Sequence, residues 1–475
     1  MSAVAPAPIF PAVPDRNVPH PAHRLMSPLA AGASPSRLNA VFGVLLVVIV
    51  AIAPLPLGSN RPIFWSFWAV AIGLLAVAYG IGLVWLRARA RRSLADYWPE
   101  AIAVFMLLGW LGIQLLPLGQ WLPTLTVPVL GERGRSISLD PGSTRLTLLT
   151  FATYGLLFVL FSQVAVNRRR ARGMLLALFL VIACLAGYSL VSLSQLGDTL
   201  LGFEKLYYAG SATGTFINRN SFATFLASGL AIGVPLLADG LGRFRGAGQL
   251  SSLVQVALVL LGLLFVAAAL LATGSRMGIA AGTVGALAAL ALALPWGGPR
   301  RPWLWLGLAL LAAFAIIVTI AIAFGADALE RFIFVSDATG RAELYPQIWH
   351  AILQRPWFGY GGGSFATVFP MFQHAPLAGD TLWDRAHSTY LALWFELGLV
   401  AGSLPLLLVA ALLVRAMASL ADSSSRSLSI AAIAVTIVFA LHSLVDFGAE
   451  MMANAFLFTA ILALGAAGGR RMGER

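Results

Sequence analysis

Stretches of about 20 consecutive apolar residues recur along the chain, and they constrain the fold more than any other feature. A segment of roughly that length crosses the hydrocarbon core of a bilayer as an α-helix. Only 11% of the 475 residues are charged, whereas a soluble domain carries about a quarter. Lipid must therefore solvate most of the surface. The sequence predicts an all-α, polytopic integral membrane protein.

Twelve of the apolar stretches are long enough to be membrane spans. They cover about 39–58, 63–86, 99–117, 145–166, 173–194, 220–239, 251–272, 277–296, 303–325, 386–414, 428–446 and 449–468. Residues 1–38 are rich in proline and alanine and predict a disordered cytoplasmic tail. The predicted divisions after that tail are helices 1–9 over 39–325, a large periplasmic loop between helices 9 and 10 over 326–385, and helices 10–12 with a short cytoplasmic tail over 386–475.

The basic residues fall in short clusters between the apolar stretches, so the positive-inside rule gives an orientation. With the N-terminus inside, the inner side holds 20 basic and 6 acidic residues, and the outer side holds 11 and 13. The net charge of +12 therefore reflects topology, and nucleic acid is not an expected partner. The single cysteine, Cys184, lies within an apolar stretch, which excludes a disulfide framework and a thiolate metal site.

Polar residues gather at the outer ends of the predicted spans. Asn218, Arg219 and Asn220 directly precede the sixth span, and a helix start with an arginine suits a phosphate. The alternative is an N-cap at Asn220 beside an arginine at the membrane interface. A short turn between the seventh and eighth spans holds Arg276 near the bilayer, where a charge is costly without a partner. The alternative for that turn is a simple interfacial hairpin.

A third polar region, residues 340–398, contains Arg341, His387, Tyr390 and Glu396. The glycines at 361–363 allow positive φ angles or a close approach of the backbone to a ligand. No Lys-Ser/Thr pair follows them, so this segment is not a Walker loop. His387 opens the tenth span, where a histidine is either a catalytic base or a structural residue.

His442 and Asp446 end the eleventh span. Their i, i+4 spacing predicts that both lie on one helix face, where the carboxylate orients and charges the imidazole. A structural hydrogen bond between helices is the alternative. All three polar regions and this pair lie on the outer side in the predicted topology. Because that topology was assigned from other residues, their common location favours one joint site.

At these residues the sequence resembles the O-antigen ligase and polymerase superfamily. The matching segments lie in the same order along most of the chain from residue 54 onward: Pro54–Pro62, Ser138–Pro141, Gly214–Ala223, Thr273–Gly278, Arg341 through Glu396, and His442–Phe447. The resemblance implies a GT-C-like glycosyltransferase of the bacterial inner membrane with a periplasmic site. It implies transfer from an undecaprenyl-diphosphate-linked glycan donor to a hydroxyl of lipid A core or of another glycan, with inversion and with neither metal nor cofactor.

The resemblance also implies roles for single residues. Arg219 and Arg276 are similar to the family arginines that bind the diphosphate, Arg341 to a further recurrent arginine, and His387 to the catalytic histidine. Ser388 follows this histidine where many relatives have asparagine. These roles suit the residue types, because guanidinium groups bind phosphate oxygens without a cation and a histidine can accept the acceptor's proton. Predicted supporting residues are Asn218, Asn220, Tyr390, Glu396, His442 and Asp446.

Ligase and polymerase activities fit these motifs equally well. The alternative from another class is a transporter or flippase for the same lipid-linked glycan. A transporter would favour arginines along a continuous cavity through the bilayer, together with inverted repeats. Polar residues gathered at one end of the spans, and a sequence without an internal repeat, favour an enzyme.

Overall fold

A computed structural model describes residues 35–121, 128–129, 132–133, 135–247, 249–294, 336–377 and 382–467. In chain order the helices are α1 Pro35–Ile52, α2 Pro62–Trp85, α3 Trp98–Leu115, α4 Pro141–Ala165, α5 Arg168–Ser194, α6 Arg219–Ala247, α7 Leu250–Ala272, α8 Arg276–Ala293, α9 Ser336–Gln354, α10 Phe365–Val368, α11 Thr389–Leu397, α12 Leu399–Ala418, α13 Arg426–His442 and α14 Met452–Ala466. Two antiparallel ribbons pair Pro128–Val129 with Glu132–Arg133 and Thr199–Leu200 with Phe203–Glu204. The predicted helical membrane fold is confirmed.

Eight helices in the described part of the chain, α2–α8 and α12, are long and apolar enough to cross a membrane. Three shorter apolar helices, α1, α13 and α14, match the first, eleventh and twelfth predicted spans. The predicted ninth span, 303–325, lies outside the described residues, as does part of the long loop predicted over 326–385. The count of twelve and the periplasmic location of that loop stay predictions. Within the loop, α9 is formed by Ser336–Gln354.

The first span is shorter than predicted, because α1 ends at Ile52 and not near residue 58. Pro54 and Pro56 lack the N–H groups that would continue the helix. A tight corner follows instead, in which Gly58 has a φ of 69° and the Ser59 hydroxyl donates to the Ala53 carbonyl at 2.6 Å. A Cβ on Gly58 would lie 2.6 Å from the Phe216 ring, so this corner packs against the segment that leads into α6.

The prediction of a single span over 386–414 is wrong, because the chain breaks at Gly398 into α11 and α12. Gly398 has a φ of 80°, and a Cβ there would lie 2.5 Å from the Trp357 carbonyl oxygen. At the start of α11 the Thr389 N–H donates to Ser443, and near its end the Glu396 carbonyl accepts from Gln114. Since Ser443 directly follows α13 and Gln114 lies in the last turn of α3, α11 runs along one end of the bundle. Only α12 remains as the span.

The helix ends gather at two opposite faces. One face, which we call the site face, is where α4, α6, α8 and α14 begin and α3 and α13 end. On this face Asn454 of α14 donates to the Ser221 carbonyl in the first turn of α6 at 2.9 Å. Nearby, the Gly362 N–H donates to Gln114 at the end of α3, and its carbonyl accepts from Thr144 at the start of α4. The helices α3 and α13 therefore run in the direction opposite to α4, α6, α8 and α14.

The opposite face, which we call the arginine face, holds guanidinium groups on the carbonyls that helices leave unpaired at their C-terminal ends. Arg92 and Arg168 donate to the Ala467 carbonyl after α14 at 2.9 and 2.8 Å. Arg426 donates to the carbonyl of Leu292 at the end of α8 at 3.0 Å. The arginines that set the predicted orientation are thus also part of the folded structure.

Small residues let α8 pack closely between α6 and α13. A Cβ on Gly278 would lie 2.5 Å from the Ala223 methyl on α6, and one on Gly285 would lie 2.5 Å from Val438 on α13. Without a hydrophobic driving force between helices in lipid, such close contact is the main source of helix association. It brings the first turns of α6 and α8 together at the site face.

Candidate active site

The start of α6 is capped by Asn218. Its Oδ1 atom accepts hydrogen bonds from the N–H groups of Asn220 at 2.7 Å and Ser221 at 3.1 Å. The predicted cap is therefore present, but it is Asn218 and not Asn220. Because these N–H groups are already bonded, an anion at this helix start would be bound by the Arg219 side chain and the helix dipole, and not by the first free N–H groups.

Arg219 is half-buried and points toward the turn between α7 and α8. Its guanidinium carbon lies 5.4 Å from the centre of the Tyr208 ring, and its Nη1 atom lies 3.5 Å from the Ser211 hydroxyl. A Cβ placed on Gly274, in the α7–α8 turn, would lie 3.5 Å from Nη1. Tyr208 and Ser211, in the connector between α5 and α6, were not predicted from the sequence.

Arg276 is the first residue of α8 and is exposed. The turn before it is built from side-chain caps: Thr273 accepts from the Ser275 N–H at 3.1 Å, and Ser275 accepts from the Gly278 N–H at 3.3 Å. Because Arg219 reaches Gly274 in this same turn, the structure brings the two predicted arginines to neighbouring helix starts. The turn is a tight hairpin that presents Arg276 on its surface, and the role of this arginine stays a prediction.

Arg341, on α9, faces Asp446 across the site face. Its Nη2 atom lies 4.0 Å from the Asp446 Oδ2 atom, and the two side chains are 22% and 2% exposed. The Asn220 side chain at the start of α6 is a further neighbour of this carboxylate. Burial raises the pKa of Asp446, which lies beyond the end of α13, and the positive charge of Arg341 acts in the opposite direction. These contacts connect α9, α6 and the connector before α14.

His442 and Asp446 do not share a helix face, which corrects the prediction from their spacing. The helix α13 ends at His442, and Asp446 lies in the connector that follows. His442 is only 1% exposed, and its Nδ1 atom lies 3.0 Å from the Thr224 hydroxyl on α6. The structural alternative, a hydrogen bond between helices, is therefore the arrangement observed for His442.

His387 directly precedes the short helix α11 and has a φ of 50°, which is uncommon for a residue with a side chain. Its half-buried ring lies between two aromatic rings, with centroid distances of 5.6 Å to Trp383 and 5.1 Å to Phe447. The Tyr345 hydroxyl donates to its backbone carbonyl at 2.8 Å. Burial raises the pKa of Tyr345 to about 12, so the hydroxyl stays a donor at neutral pH. The imidazole is thus held from the backbone and from both sides.

The segment that carries His387 is tied to the connector between α13 and α14. Arg385 forms an ion pair with Glu450 at 3.0 Å, and its guanidinium carbon lies 5.7 Å from the centre of the Phe447 ring. In the first turn of α11, the Tyr390 hydroxyl donates to the Ala440 carbonyl at 2.9 Å. Tyr390 therefore supports the site by fixing α11 on α13. Arg385, Glu450 and Phe447 were not among the site residues predicted from the sequence.

The glycine run approaches its own chain closely and not an open cavity. Gly361 has a φ of 114°, and a Cβ there would overlap the Ser138 side chain. The Gly363 N–H donates to the Glu396 carboxylate at 2.7 Å, and the Gly361 N–H donates to the Glu396 carbonyl at 2.9 Å. Glu396 therefore holds the glycine segment in place. Among the predicted supporting residues, Glu396 differs from the others because it contacts this glycine segment and the end of α3.

The described contacts join Arg219, Asn218, Asn220, Arg276, Arg341, His387, Tyr390, His442 and Asp446 in one region of the site face. This region offers guanidinium groups from three different elements and one half-buried imidazole. In the described parts of the chain, no three His, Cys, Asp or Glu side chains are grouped so that they could hold a metal ion. The arrangement can bind a group with several negative charges and accept a proton beside it.

A family model described as O-antigen ligase matches residues 256–406. No curated protein matches the chain. The matched segment contains Arg276, Arg341 and His387, whereas Arg219 precedes it and Asp446 follows it. The resemblance found from the sequence is confirmed over residues 256–406, the segment that matches the O-antigen ligase family.

Proposed function

We propose that the protein transfers a glycan from undecaprenyl diphosphate to an acceptor hydroxyl at the periplasmic face of the bacterial inner membrane. The observation that carries this proposal is the approach of Arg219 to the α7–α8 turn, directly before Arg276. Two arginines at neighbouring helix starts, where the helix dipoles are also positive, suit a diphosphate held at the membrane surface. Arg341 is the third cation, shared between this group and Asp446.

In the proposed reaction the acceptor oxygen forms a bond to the anomeric carbon of the donor. The bond from that carbon to the diphosphate oxygen breaks, and its electron pair leaves with the diphosphate, so the configuration inverts. Arg219, Arg276 and Arg341 offset the negative charge that develops on the leaving group. The acceptor's proton passes to the His387 imidazole. The proposed chemistry needs no metal or cofactor, because fixed guanidinium charges stabilise a leaving group that is already a weak base.

The two histidines of the region differ in access, which supports His387 as the base. His387 is half-buried, with its ring beside Trp383 and Phe447. His442 is 1% exposed and already bonded to Thr224. A sugar hydroxyl must come within hydrogen-bond reach of the base, so the more accessible imidazole is the better candidate.

O-antigen ligation to lipid A core is the activity that we favour, and polymerisation of repeat units by the same chemistry is the second candidate. The family match supports both. A flippase for the same lipid-linked glycan is the alternative from another class. The polar contacts described above lie at the site face, whereas small and apolar residues fill the space between α6, α8 and α13. This arrangement favours glycan transfer over passage of the glycan through the bilayer.

The test is surface-glycan profiling of a strain that lacks the gene, complemented with wild type, Arg219→Ala or Arg276→Ala. We expect both alanine variants to lose most transfer at normal expression, and Arg219→Lys to restore little, because lysine lacks the planar fork. Loss of long chains from lipid A with accumulation of lipid-linked polymer identifies a ligase. Products with a single repeat identify a polymerase.

Arg243→Ala is the matched control, because Arg243 lies at the other end of the same helix and pairs with Asp239 on the surface at 3.1 Å. It removes a guanidinium from α6 without touching the site face, so transfer should stay normal. Near-normal transfer by both Arg219→Ala and Arg276→Ala would contradict the diphosphate assignment. Loss of surface glycan with the complete donor trapped on the inner leaflet would support the flippase instead.

A further inference from the structure

The connector between α5 and α6 folds into a small hairpin, residues 196–208, which we call the α5–α6 hairpin. Its two short strands, Thr199–Leu200 and Phe203–Glu204, pair antiparallel. Leu201 and Gly202 turn the chain with φ angles of 54° and 88°. The hairpin begins two residues after the end of α5, which is a candidate span, and is followed by the segment that leads to Arg219.

The apolar side chains of this hairpin point outward. Leu206 is 88% exposed, Phe203 is 77% exposed and Tyr207 is 69% exposed. Soluble proteins scatter such residues singly, whereas a contiguous group of them marks an interaction surface. With this much of their surface exposed, these side chains have no role in the core.

Two of the three charged side chains of the same hairpin point inward, and the third, Glu204, is exposed. Lys205, the single lysine of the chain, is only 5% exposed and forms an ion pair with Asp198. It also donates to the Ser211 carbonyl at 2.9 Å, while Asp198 accepts from the Gly210 N–H at 2.6 Å. A lysine is rarely buried unless it is paired. A segment with its one ion pair bonded internally and its large apolar groups outside suits contact with lipid, and the exposed Glu204 can lie on the side that faces water.

We propose that the α5–α6 hairpin is a membrane anchor that inserts Phe203, Leu206 and Tyr207 into the interfacial region of the leaflet at the site face. Its position directly after α5 places it at the depth where that span leaves the bilayer. Tyr207 suits this depth, since its ring is apolar and its hydroxyl can reach water. A protein partner fits less well, because stable interfaces use roughly 20–30 residues a side.

The anchor has a consequence for Arg219. Tyr208 ends the hairpin and Ser211 follows it, and both contact the Arg219 guanidinium. Lys205 and Asp198 of the hairpin bind the backbone of Ser211 and Gly210, which follow the hairpin. The hairpin and the residues that contact Arg219 therefore move together. Insertion of the hairpin therefore sets Arg219 at the level of the lipid headgroups. The anchoring itself does not depend on the proposed transfer reaction.

The test measures depth in the membrane at two neighbouring positions. The exposed Cys184 is replaced by alanine, and single cysteines are introduced as Phe203→Cys or Glu204→Cys. Each is labelled with a polarity-sensitive fluorophore, and the full-length protein is placed in nanodiscs of phosphatidylcholine and phosphatidylglycerol with a shallow nitroxide-lipid quencher. Successive strand residues point to opposite faces, so the label at 204 is the matched control.

We expect several-fold stronger quenching at 203 than at 204, and similar quenching for Leu206→Cys. The nanodiscs contain no polyprenyl lipid, so this result identifies the bilayer itself as the contact. Equal, weak quenching at all three positions would overturn the proposal. The proposal would also be overturned if the 203 label were protected from the quencher only when two copies share a nanodisc, because the hairpin would then contact a second copy. Neither outcome bears on glycan transfer, which the Arg219 variants test separately.

Discussion

Removal of Arg341 should leave Asp446 as a buried carboxylate without its nearest cation. The two charges are 4.0 Å apart, which corresponds to about 4 kcal/mol at an effective dielectric constant of about 20. Arg341 is 22% exposed, so water screens part of this attraction and about 2 kcal/mol is a realistic coupling. We therefore expect Arg341→Ala to lower the free energy of unfolding by about 2 kcal/mol near pH 8.

Asp446→Asn removes the charge that needs compensation, so Arg341→Ala should cost much less in a chain that already carries Asp446→Asn. The pH dependence of the stability gives an independent test of this pairing. Because burial raises the pKa of Asp446 above its unfolded value, the unfolded chain loses this proton first, and stability falls as pH rises between the two values. Arg341→Ala should extend that fall to higher pH, and Asp446→Asn should abolish the contribution.

The measurement is reversible unfolding by SDS in mixed micelles for wild type, both single variants and the double variant, at pH 5 and pH 8. The coupling is the amount by which the two single effects fail to add. Additive effects of the two single variants at pH 8 would refute the argument that the two charges act as a pair. The same conclusion would follow if Arg341→Ala lost equal stability at both pH values and lost as much again in the double variant.

Two further predictions concern the proposed base and the glycine segment. His387→Ala should slow transfer by roughly 10²–10⁴-fold and remove the acidic limb of the pH–rate profile, whereas His442→Ala should reduce the yield of folded protein and keep that limb. The opposite pattern would move the base to His442. Gly361→Ala should destabilise the protein by about 2 kcal/mol or more through its positive φ and its overlap with Ser138. Adding Ser138→Gly should recover only part of that loss in the same SDS titration, and full recovery would show that the backbone angle costs nothing.

Hydropathy was sufficient to predict most of the helices, because a span must satisfy its hydrogen bonds within an apolar segment of fixed length. It was not sufficient where a helix is apolar but does not cross. Residues 389–397 are as apolar as a span, yet α11 lies between the ends of α13 and α3. Gly398 was the one local signal for this break, and a glycine inside a hydrophobic run is common enough to be overlooked.

The candidate site was predicted as a set of residues but not as a set of contacts. Motif positions were enough to select Arg219, Arg276, Arg341 and His387. Their neighbours could not be predicted, because Tyr345 and Asp446 come from parts of the chain that only tertiary packing brings together. The pairing of His442 with Asp446 failed for a simpler reason. A spacing of four residues places two side chains on one face only while the helix continues, and α13 stops at His442.

The capping of α14 on the arginine face also bears on the order in which the chain assembles. Arg92 follows α2, and Arg168 is the first residue of α5. Both residues are therefore synthesised and held on their side of the membrane long before α14 exists. Their common acceptor is the carbonyl of Ala467, directly after that last described helix. Until it arrives, water or lipid phosphate must solvate both guanidinium groups. Insertion of α14 therefore supplies one acceptor to two early connectors at once, and these connectors reach their final contacts only when the last described helix is in place.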